Sequence, residues 1–482
     1  MVVSRNGCDE PRRQGLAART HPRARQQITA RESDCQTGLL FTDAVICYRV
    51  AMKQFLIKQL QNAARRAIEQ HKPTIVAVTG SYGKTSTKEA IATALGVKYR
   101  VRTSQKNFNN EIGVPLTILG ESSPGRSLVG WLSLLWRTRS VKEMPEVLVL
   151  EFGADRPGDI QALCELAPPT IGVVTGISSV HAEFFADMDA LINGKAALLR
   201  ALPPDGLAVI NTDDPKTADM LEGVMAPVRR YGASDRADVR ATSIALSTRL
   251  DDDFNVGETF AVTTATAEAG GHPVGELRLQ DAIGYAPILS CIAALTVGDH
   301  LNVSMSDAIV ALNKQVHALP GRLRPLAGIK GSLIIDDSYN AAPAAIAHGL
   351  EVLKQFTPGE RGDRRIAALG QMAELGTYDE QEHRFIGMQV AQCADLFIAV
   401  GERMAPAIDA AQEAGMDPQY VVSFATSEEA GRYLDAHIQE GDVVYVKGSQ
   451  SARMEKVVKD VMAEPERASE LLVRQEAKWM RM

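Results

Sequence analysis

The sequence predicts an α/β protein with two folded domains, of which the first has a mostly parallel sheet with a small antiparallel appendage and the second is Rossmann-like. Three observations predict this fold class. From Pro73 onward, strand-like apolar runs alternate with helical patterns, the pattern changes to short β-prone stretches over 240–279, and a second alternating series follows Pro320. Such alternation is typical of parallel sheets that are covered by helices.

Length and composition agree with this fold class. The chain has 482 residues, 45% of them hydrophobic, which leaves room for two to four domains. Its net charge of −7 does not favour nucleic acid as a partner, since phosphate binding needs clustered Lys and Arg. The six cysteines form no CxxC pair, which indicates neither a disulfide framework nor a zinc site and suits the cytoplasm. No apolar run reaches the ~20 residues of a membrane span.

The domain bounds follow from the same pattern. We predict a basic, disordered leader over 1–51, which is rich in Arg and has no apolar periodicity, and an amphipathic helix over 52–72. The two folded domains are predicted over 73–318 and 319–482.

Each predicted element has its own apolar pattern. In the first domain we expect strands over 74–79, 147–151, 170–175 and 207–211, and helices over 84–95, 190–202, 286–296 and 306–315. In the second domain we expect strands over 333–336, 365–369, 396–400, 420–424 and 443–446.

The most informative segment joins the strand over 74–79 to the helix over 84–95. Its glycines let backbone N–H groups face a phosphate, Lys84 can reach the β- and γ-phosphates, and the Thr85 hydroxyl can bind Mg²⁺. The alternative is a turn in which Gly and Lys occur by chance, but this alternative does not explain why they lie between a buried strand and a helix, as a phosphate loop requires. We therefore expect ATP to bind at Thr79, Gly80, Ser81, Gly83, Lys84, Thr85 and Ser86.

Other polar residues stand at strand ends, where α/β sheets bind ligands. Glu151 could hold Mg²⁺ or be simply solvated. Arg322 can neutralise phosphate charge and Asp337 can accept ribose hydroxyls, although an interdomain salt bridge is the alternative for this pair. His181 follows a strand and Lys195 lies on a helix; from the residues alone, each is more simply a packed or solvated side chain.

Two motifs resemble the Mur ligase family, ATP-dependent enzymes that add amino acids or dipeptides to bacterial cell-wall precursors. One is the phosphate loop, Thr79-Gly-Ser-Tyr-Gly-Lys-Thr85. The other, Asn107-Phe-Asn-Asn-Glu-Ile-Gly-Val-Pro-Leu-Thr-Ile-Leu119, is similar to the Asn-rich stretch of the members that add D-alanyl-D-alanine to UDP-N-acetylmuramoyl-tripeptide. The order of motifs is similar from residue 73 to about 460.

The resemblance implies a P-loop ATPase domain in the centre and roles for individual residues. It implies that Lys84, Lys195 and Arg322 are catalytic and that Asn110 joins Arg322 and Asp337 in binding the nucleotide. It also implies two Mg²⁺ ions near Thr85, Glu151, His181 and Lys195, with Lys195 carbamylated by CO₂.

The resemblance further implies a monomeric ligase whose substrates are a dipeptide and a nucleotide-sugar peptide. Such members normally begin with a uridine-binding domain, so we expect recognition of UDP to be lost, replaced or supplied by another chain. Two alternatives stay open: a related ligase with a polyglutamate-type or lipid-linked acceptor, and a substrate-holding subunit for an amidotransferase.

Several positions depart from the usual residues of the family. They are Gly176, where Asn is usual, Ala342, where Asn is usual, Gln371, where Asp is common, and Gln450, where Arg is common. His383 lies on a charged helical pattern, for which a solvated face is at least as plain an interpretation as a catalytic role.

Overall fold

The computed structural model describes residues 52, 54–104, 108–125, 127–139, 141–180, 182–248, 261–356, 364–476 and 479. The chain divides into two compact units, Met1–Gln59 and Leu60–Met482. In the smaller unit, the described residues are helical. The predicted leader over 1–51 lies outside the described residues, so its disorder stays a prediction.

The larger unit contains a sheet that has nine strands among the described residues. The strands are β1 (Thr74–Thr79), β2 (Val101–Thr103), β3 (Val147–Glu151), β4 (Ile171–Val174), β5 (Leu207–Asn211), β6 (Val228–Gly232), β7 (Val239–Thr248), β8 (Ala261–Ala269) and β9 (His272–Gln280). Their order is β2-β3-β1-β4-β5-β6-β7-β8-β9. Pairing is parallel from β2 to β7 and antiparallel from β7 to β9, so the predicted appendage continues the main sheet.

Helices cover both faces of this sheet. They are α1 (residues 60–71), α2 (Lys84–Leu95), α3 (Gly113–Leu119), α4 (Leu128–Arg137), α5 (Asp159–Leu166), α6 (Met188–Arg200), α7 (Tyr285–His300) and α8 (Met305–Gln315). Along β1, Val76 and Val78 belong to one apolar cluster, whereas Ile75 and Ala77 belong to another. Since successive side chains of a strand face opposite sides, both faces are buried, which explains the unbroken apolar runs.

A second sheet follows, with six strands in the described part of the chain. They are β10 (Arg324–Ala327), β11 (Leu333–Asp337), β12 (Arg365–Gly370), β13 (Leu396–Val400), β14 (Val421–Phe424) and β15 (Val443–Lys447). Their order is β10-β11-β15-β12-β13-β14, and only β10 pairs in the antiparallel sense. Its helices are α9 (Pro343–Lys354), α10 (Asp379–Cys393), α11 (Ala405–Glu413), α12 (Ser427–His437), α13 (Glu455–Val461) and α14 (Ala468–Leu471).

The two sheets confirm the predicted α/β class with its antiparallel appendage. The predicted domain bounds place β1–β9 in 73–318 and β10–β15 in 319–482, and they stay a prediction. Among the described residues, no helix combines the length and apolar character needed to cross a membrane.

The strand order locates the site. Strands β2 and β3, which follow β1 in the chain, lie on one side of β1, whereas β4 lies on the other side. The direction in which strands are added therefore reverses at β1. Ligands of open α/β sheets bind outside the carboxyl ends of the strands at such a reversal. The loop after β1 is the predicted phosphate loop.

Candidate active site

The loop between β1 and α2 has the geometry of a phosphate cradle. Gly80 and Gly83 have φ angles of +147° and +76°, which favour glycine, and a Cβ at Gly80 would lie 2.1 Å from Oγ1 of Thr175. This hydroxyl lies 3.2 Å from the carbonyl oxygen of Thr79 and 2.5 Å from that of Tyr82. Thr175, the residue that follows β4, therefore holds the loop in position.

Lys84 begins α2 and folds back over the loop. Its Nζ donates to the carbonyl oxygens of Gly80, at 2.7 Å, and Ser81, at 3.3 Å. Burial lowers the pKa of Lys84, the negative charge of Glu151 opposes this shift, and the positive charge of Arg322 adds to it. An arriving phosphate would replace the two carbonyl oxygens as the partner of this ammonium group.

Glu151 connects several of the predicted site residues. It ends β3 and is 2% exposed. Its Oε2 accepts a hydrogen bond from Oγ1 of Thr85 at 2.9 Å, and its Oε1 accepts one from Nδ2 of Asn109 at 3.1 Å. Arg322 Nη2 lies 3.1 Å from the same Thr85 hydroxyl. A carboxylate and a hydroxyl thus meet beside the phosphate loop.

Lys195 lies under the phosphate loop rather than on the surface. It belongs to α6, is 1% exposed, and its Nζ lies 3.4 Å from the carbonyl oxygen of Gly80. Its pKa is lowered to about 7, mainly by burial and also by the positive charge of Lys84, while the negative charge of Asp155 opposes the shift. The solvated position that the residues alone suggested for Lys195 is therefore wrong.

Asp337 ends β11 and forms a buried ion pair. Its Oδ2 accepts hydrogen bonds from Nζ of Lys447 at 2.6 Å and from Oη of Tyr445 at 3.1 Å. Its Oδ1 accepts one from the backbone N–H of Leu323 at 3.2 Å. Asp337 and Lys447 are paired residues of adjacent strands in the same sheet, so the ion pair of Asp337 lies within the second domain and is not the interdomain salt bridge considered for Arg322 and Asp337.

Arg322 instead reaches across to the phosphate loop. Its guanidinium lies 4.4 Å from the ring centroid of Tyr339 and contacts Thr85 as described above. The aromatic ring below the guanidinium holds it in place while leaving N–H groups for an anion.

A cleft of about 1000 Å³ lies between these groups. The predicted site residues that line it are Ser81, Gly83, Lys84, Thr85, Ser86, Glu151, Arg322 and Asp337. Thr79 is fully buried and its hydroxyl donates to the carbonyl oxygen of Phe152, so it supports the loop from within.

Four predicted residues do not line the cleft: Thr79, Gly80, Asn110 and Lys195. Asn110 Oδ1 accepts from the backbone N–H groups of Ile112 and Gly113 and so shapes the turn before α3. Its neighbour Asn109 lines the cleft instead. His181 lies outside the described residues, so its role stays a prediction. The described ranges contain no group of three or more His, Cys, Asp or Glu side chains that could hold a metal ion.

The structure adds residues to the cleft that local sequence patterns do not predict. Tyr82 and His348 line the cleft with their rings edge to face, 5.6 Å between centroids. His348 lies on α9, far from the loop in sequence, so no local signal could have paired them. Lys447 ends β15, and its position at a strand end was the available signal.

Comparisons with known proteins agree with a phosphate-binding site of this kind. The Mur ligase middle domain matches residues 78–269, and the Mur ligase, glutamate ligase domain matches residues 321–450. The UDP-N-acetylmuramoyl-tripeptide--D-alanyl-D-alanine ligase of Mycobacterium leprae (strain TN) is 31% identical over 400 residues, which cover 78% of this chain and 71% of that enzyme. The chain belongs to the Mur ligase family.

Further relatives extend the match. The enzyme of the same name from Escherichia coli (strain K12) is 29% identical over 392 residues, covering 80% of this Mur ligase and 76% of that enzyme. The crystal structure of MurF ligase from Thermotoga maritima in complex with ADP superposes with a TM-score of 0.67 at 26% identity, covering 85% of this chain and 84% of that one. The family predicted from the two motifs is confirmed.

The structure shows the surroundings of three positions at which this Mur ligase departs from the usual residues. A Cβ at Gly176 would lie 2.4 Å from Oη of Tyr82, so the small residue and the large ring fit together. The side chain of Gln371 packs against Gly401, since a Cβ at residue 401 would lie 2.5 Å from Oε1 of Gln371. Gln450 is exposed and lines the cleft.

His383 is a buried structural residue. Its Nε2 accepts a hydrogen bond from the backbone N–H of Met372 at 3.1 Å, and its Nδ1 lies 2.7 Å from the carbonyl oxygen of Asp379. It is fully buried, so the interpretation of a solvated face is wrong. Its ring connects the start of α10 to the loop that follows β12.

Proposed function

We propose that this Mur ligase is a cytoplasmic, ATP-dependent and ADP-forming amide ligase that adds D-alanyl-D-alanine to UDP-N-acetylmuramoyl-tripeptide in peptidoglycan precursor synthesis. The observation that carries the proposal is the cleft in which Lys84 and Thr85 of the phosphate loop face Arg322 from beside the second sheet. Relatives that carry this activity in their names align over about four fifths of the chain.

The residues of the cleft suit transfer of a phosphoryl group. The tripeptide carboxylate attacks the γ-phosphorus of ATP, which gives an acyl phosphate and releases ADP. The amine of the dipeptide then attacks the acyl carbon, and the tetrahedral intermediate expels phosphate. Lys84 and Arg322 neutralise the charge that gathers on the transferring group, so their main work is positioning and electrostatic stabilisation.

Mg²⁺ would be held by residues around the Glu151 carboxylate. Carboxylate and hydroxyl oxygens are the ligands that Mg²⁺ prefers, and Glu151 and Thr85 present both beside the phosphate loop. Bound there, Mg²⁺ would supply additional charge neutralisation on the phosphate oxygens. We propose Thr85 and Glu151 as residues of one of two Mg²⁺ sites, and His181 as a residue of the other.

Lys195 is proposed to carry a carbamate. CO₂ reacts with a neutral amine, and the burial of Lys195 favours that form. The product is an anion that can help position Mg²⁺, whereas an ammonium group at the same place would repel it.

A product assay tests the proposed reaction. The purified protein is incubated with ATP, UDP-N-acetylmuramoyl-tripeptide and D-alanyl-D-alanine, and products are measured by mass spectrometry. We expect ADP and the ligated pentapeptide only when both carbon substrates are present. ATP hydrolysis that does not depend on either substrate would overturn the proposal.

A panel of acceptors separates the alternatives within the family. Acceptors with and without the UDP group, polyglutamate-type acceptors and lipid-linked acceptors are supplied one at a time. Product formed only on one of the last two classes would replace the proposed substrate. Co-purification of a glutaminase-like chain, together with no ligated product, would favour the substrate-holding subunit.

We also propose that the enzyme acts as a monomer without nucleic acid. A single chain provides all the residues that line the cleft, which supports a monomer. The net charge of −7 supports the absence of nucleic acid. Light scattering of the purified protein, with and without added DNA, checks both parts.

A further inference from the structure

Helix α4 presents an apolar stripe to solvent, away from the cleft. Val129, Leu132 and Trp136 are 78%, 64% and 70% exposed. Their spacing of three and four residues puts them on one face of the helix. The opposite face is anchored, since Leu134 is fully buried in the apolar cluster beneath. None of the described side chains of α4 lines the cleft.

The sequence around α4 is basic in an acidic protein. From 121 to 143 it contains four basic residues, Arg126, Arg137, Arg139 and Lys142, and two acidic ones, Glu121 and Glu143, a net charge of +2, whereas the whole chain has a net charge of −7. Arg137 pairs with Glu121 at 2.7 Å, while Arg139 and Lys142 are exposed at the carboxyl end of the helix. The apolar stripe therefore lies beside positive charge.

We propose that α4 is a peripheral membrane-binding helix that lies flat on an anionic lipid surface. The apolar stripe would enter the acyl boundary, Trp136 would lie at the headgroup level, and the basic residues would contact anionic headgroups. Ten residues extend about 15 Å along the helix axis, which suits an interfacial position and is far too short for a span.

Charge complementarity favours a lipid surface over a second copy of the chain. A two-fold dimer through this stripe would bring the same patch of each copy together. Each copy would then bring the same net positive charge of the 121–143 segment into the contact. An anionic membrane satisfies both the apolar stripe and the positive charge, and the cleft stays open to soluble substrates.

Vesicle flotation tests the proposal with the full chain. Vesicles of phosphatidylcholine alone are compared with vesicles in which one third of the lipid is phosphatidylglycerol. We expect binding to the anionic vesicles, weakened by added salt. The double variant Leu132→Gln/Trp136→Gln should lose about tenfold or more in partitioning, because it removes apolar insertion. Its thermal unfolding, and its release of ADP in the presence of both carbon substrates, should stay unchanged.

Matched variants separate this helix from other sources of binding. Val310→Gln removes a side chain on α8 that is 67% exposed, and it should float like the unmodified protein. Trp136→Phe should still float but lose fluorescence quenching by brominated lipids. Absence of binding by the unmodified protein, or equal flotation of the double variant, would overturn the proposal. So would a dimer, seen by light scattering, that the double variant abolishes.

Discussion

Replacing Gly176 by alanine should displace the ring of Tyr82. A Cβ at residue 176 would lie 2.4 Å from both Cζ and Oη of Tyr82 and 2.9 Å from its Cε1. Ordinary van der Waals contact begins near 3.4 Å, so the ring must move by about 1 Å. Gly176 has no positive φ, so alanine meets no backbone strain there, and the cost comes from the ring. That ring packs edge-on against His348.

The expected cost is that of overpacking a buried site, about 1–3 kcal/mol in the free energy of unfolding. Tyr82→Ala removes the ring, so Gly176→Ala in that background should cost less than about 0.5 kcal/mol. Urea unfolding of the two single variants and the double variant measures this coupling. The KM for ATP should rise in Gly176→Ala, since Tyr82 precedes Gly83 and Lys84 in the phosphate loop. An equal cost of Gly176→Ala in both backgrounds would refute the reasoning.

Three further perturbations follow from the buried charges. Lys195→Ala should lower kcat about a hundredfold or more, because it removes the group that would carry the carbamate. An added small carboxylate should partly restore kcat by taking the place of the carbamate. An unchanged kcat in this variant would contradict the proposed carbamate. Burial raises the pKa of Asp336 to about 6, from 3.8, so its ionised form destabilises the fold above pH 6. As the pH falls from above 6 toward 3.8, the unfolding free energy of the unmodified protein should therefore rise by up to about 3 kcal/mol relative to that of Asp336→Asn. Urea unfolding of both proteins over this pH range measures the difference. Unfolding free energies that change in parallel with pH in the two proteins would contradict the prediction. Lys447→Met leaves the carboxylate of Asp337 buried without its cation and should lower the free energy of unfolding by about 3–5 kcal/mol. The double variant Asp337→Asn/Lys447→Met should recover much of this loss. If Lys447→Met unfolds like the unmodified protein, the ion pair does not stabilise the fold.

Much of the fold could be predicted from local patterns. Strands β1 and β3 occur over the predicted residues because both of their faces are buried, which leaves an unbroken apolar run in the sequence. Helix α4 was not predicted, since apolar side chains on its exposed face obscure the helical pattern. Strand β2 is only three residues long and carries no pattern of its own.

The candidate site was predictable where one motif contains the chemistry. The phosphate loop needs glycines, a lysine and a threonine at fixed spacing, and these are visible in the sequence. The partner of Asp337 was not predictable, because Lys447 is 110 residues away and meets it only through the pairing of β11 with β15. Asn109 and Asn110 could not be distinguished for the same reason: the contact of Asn109 with Glu151 is tertiary.

The contacts across the cleft link nucleotide binding to the arrangement of the two sheets. Arg322 reaches Thr85 of the phosphate loop, and Oγ of Ser179, after β4, donates to Glu382 on α10 at 2.7 Å. A triphosphate between Lys84 and Arg322 would be attracted from both sides, so it would bind this closed arrangement more tightly than an open one. Because coupling between binding and conformation is reciprocal, any substitution that weakens the contact of Ser179 with Glu382 should also weaken ATP binding, although neither residue lines the cleft.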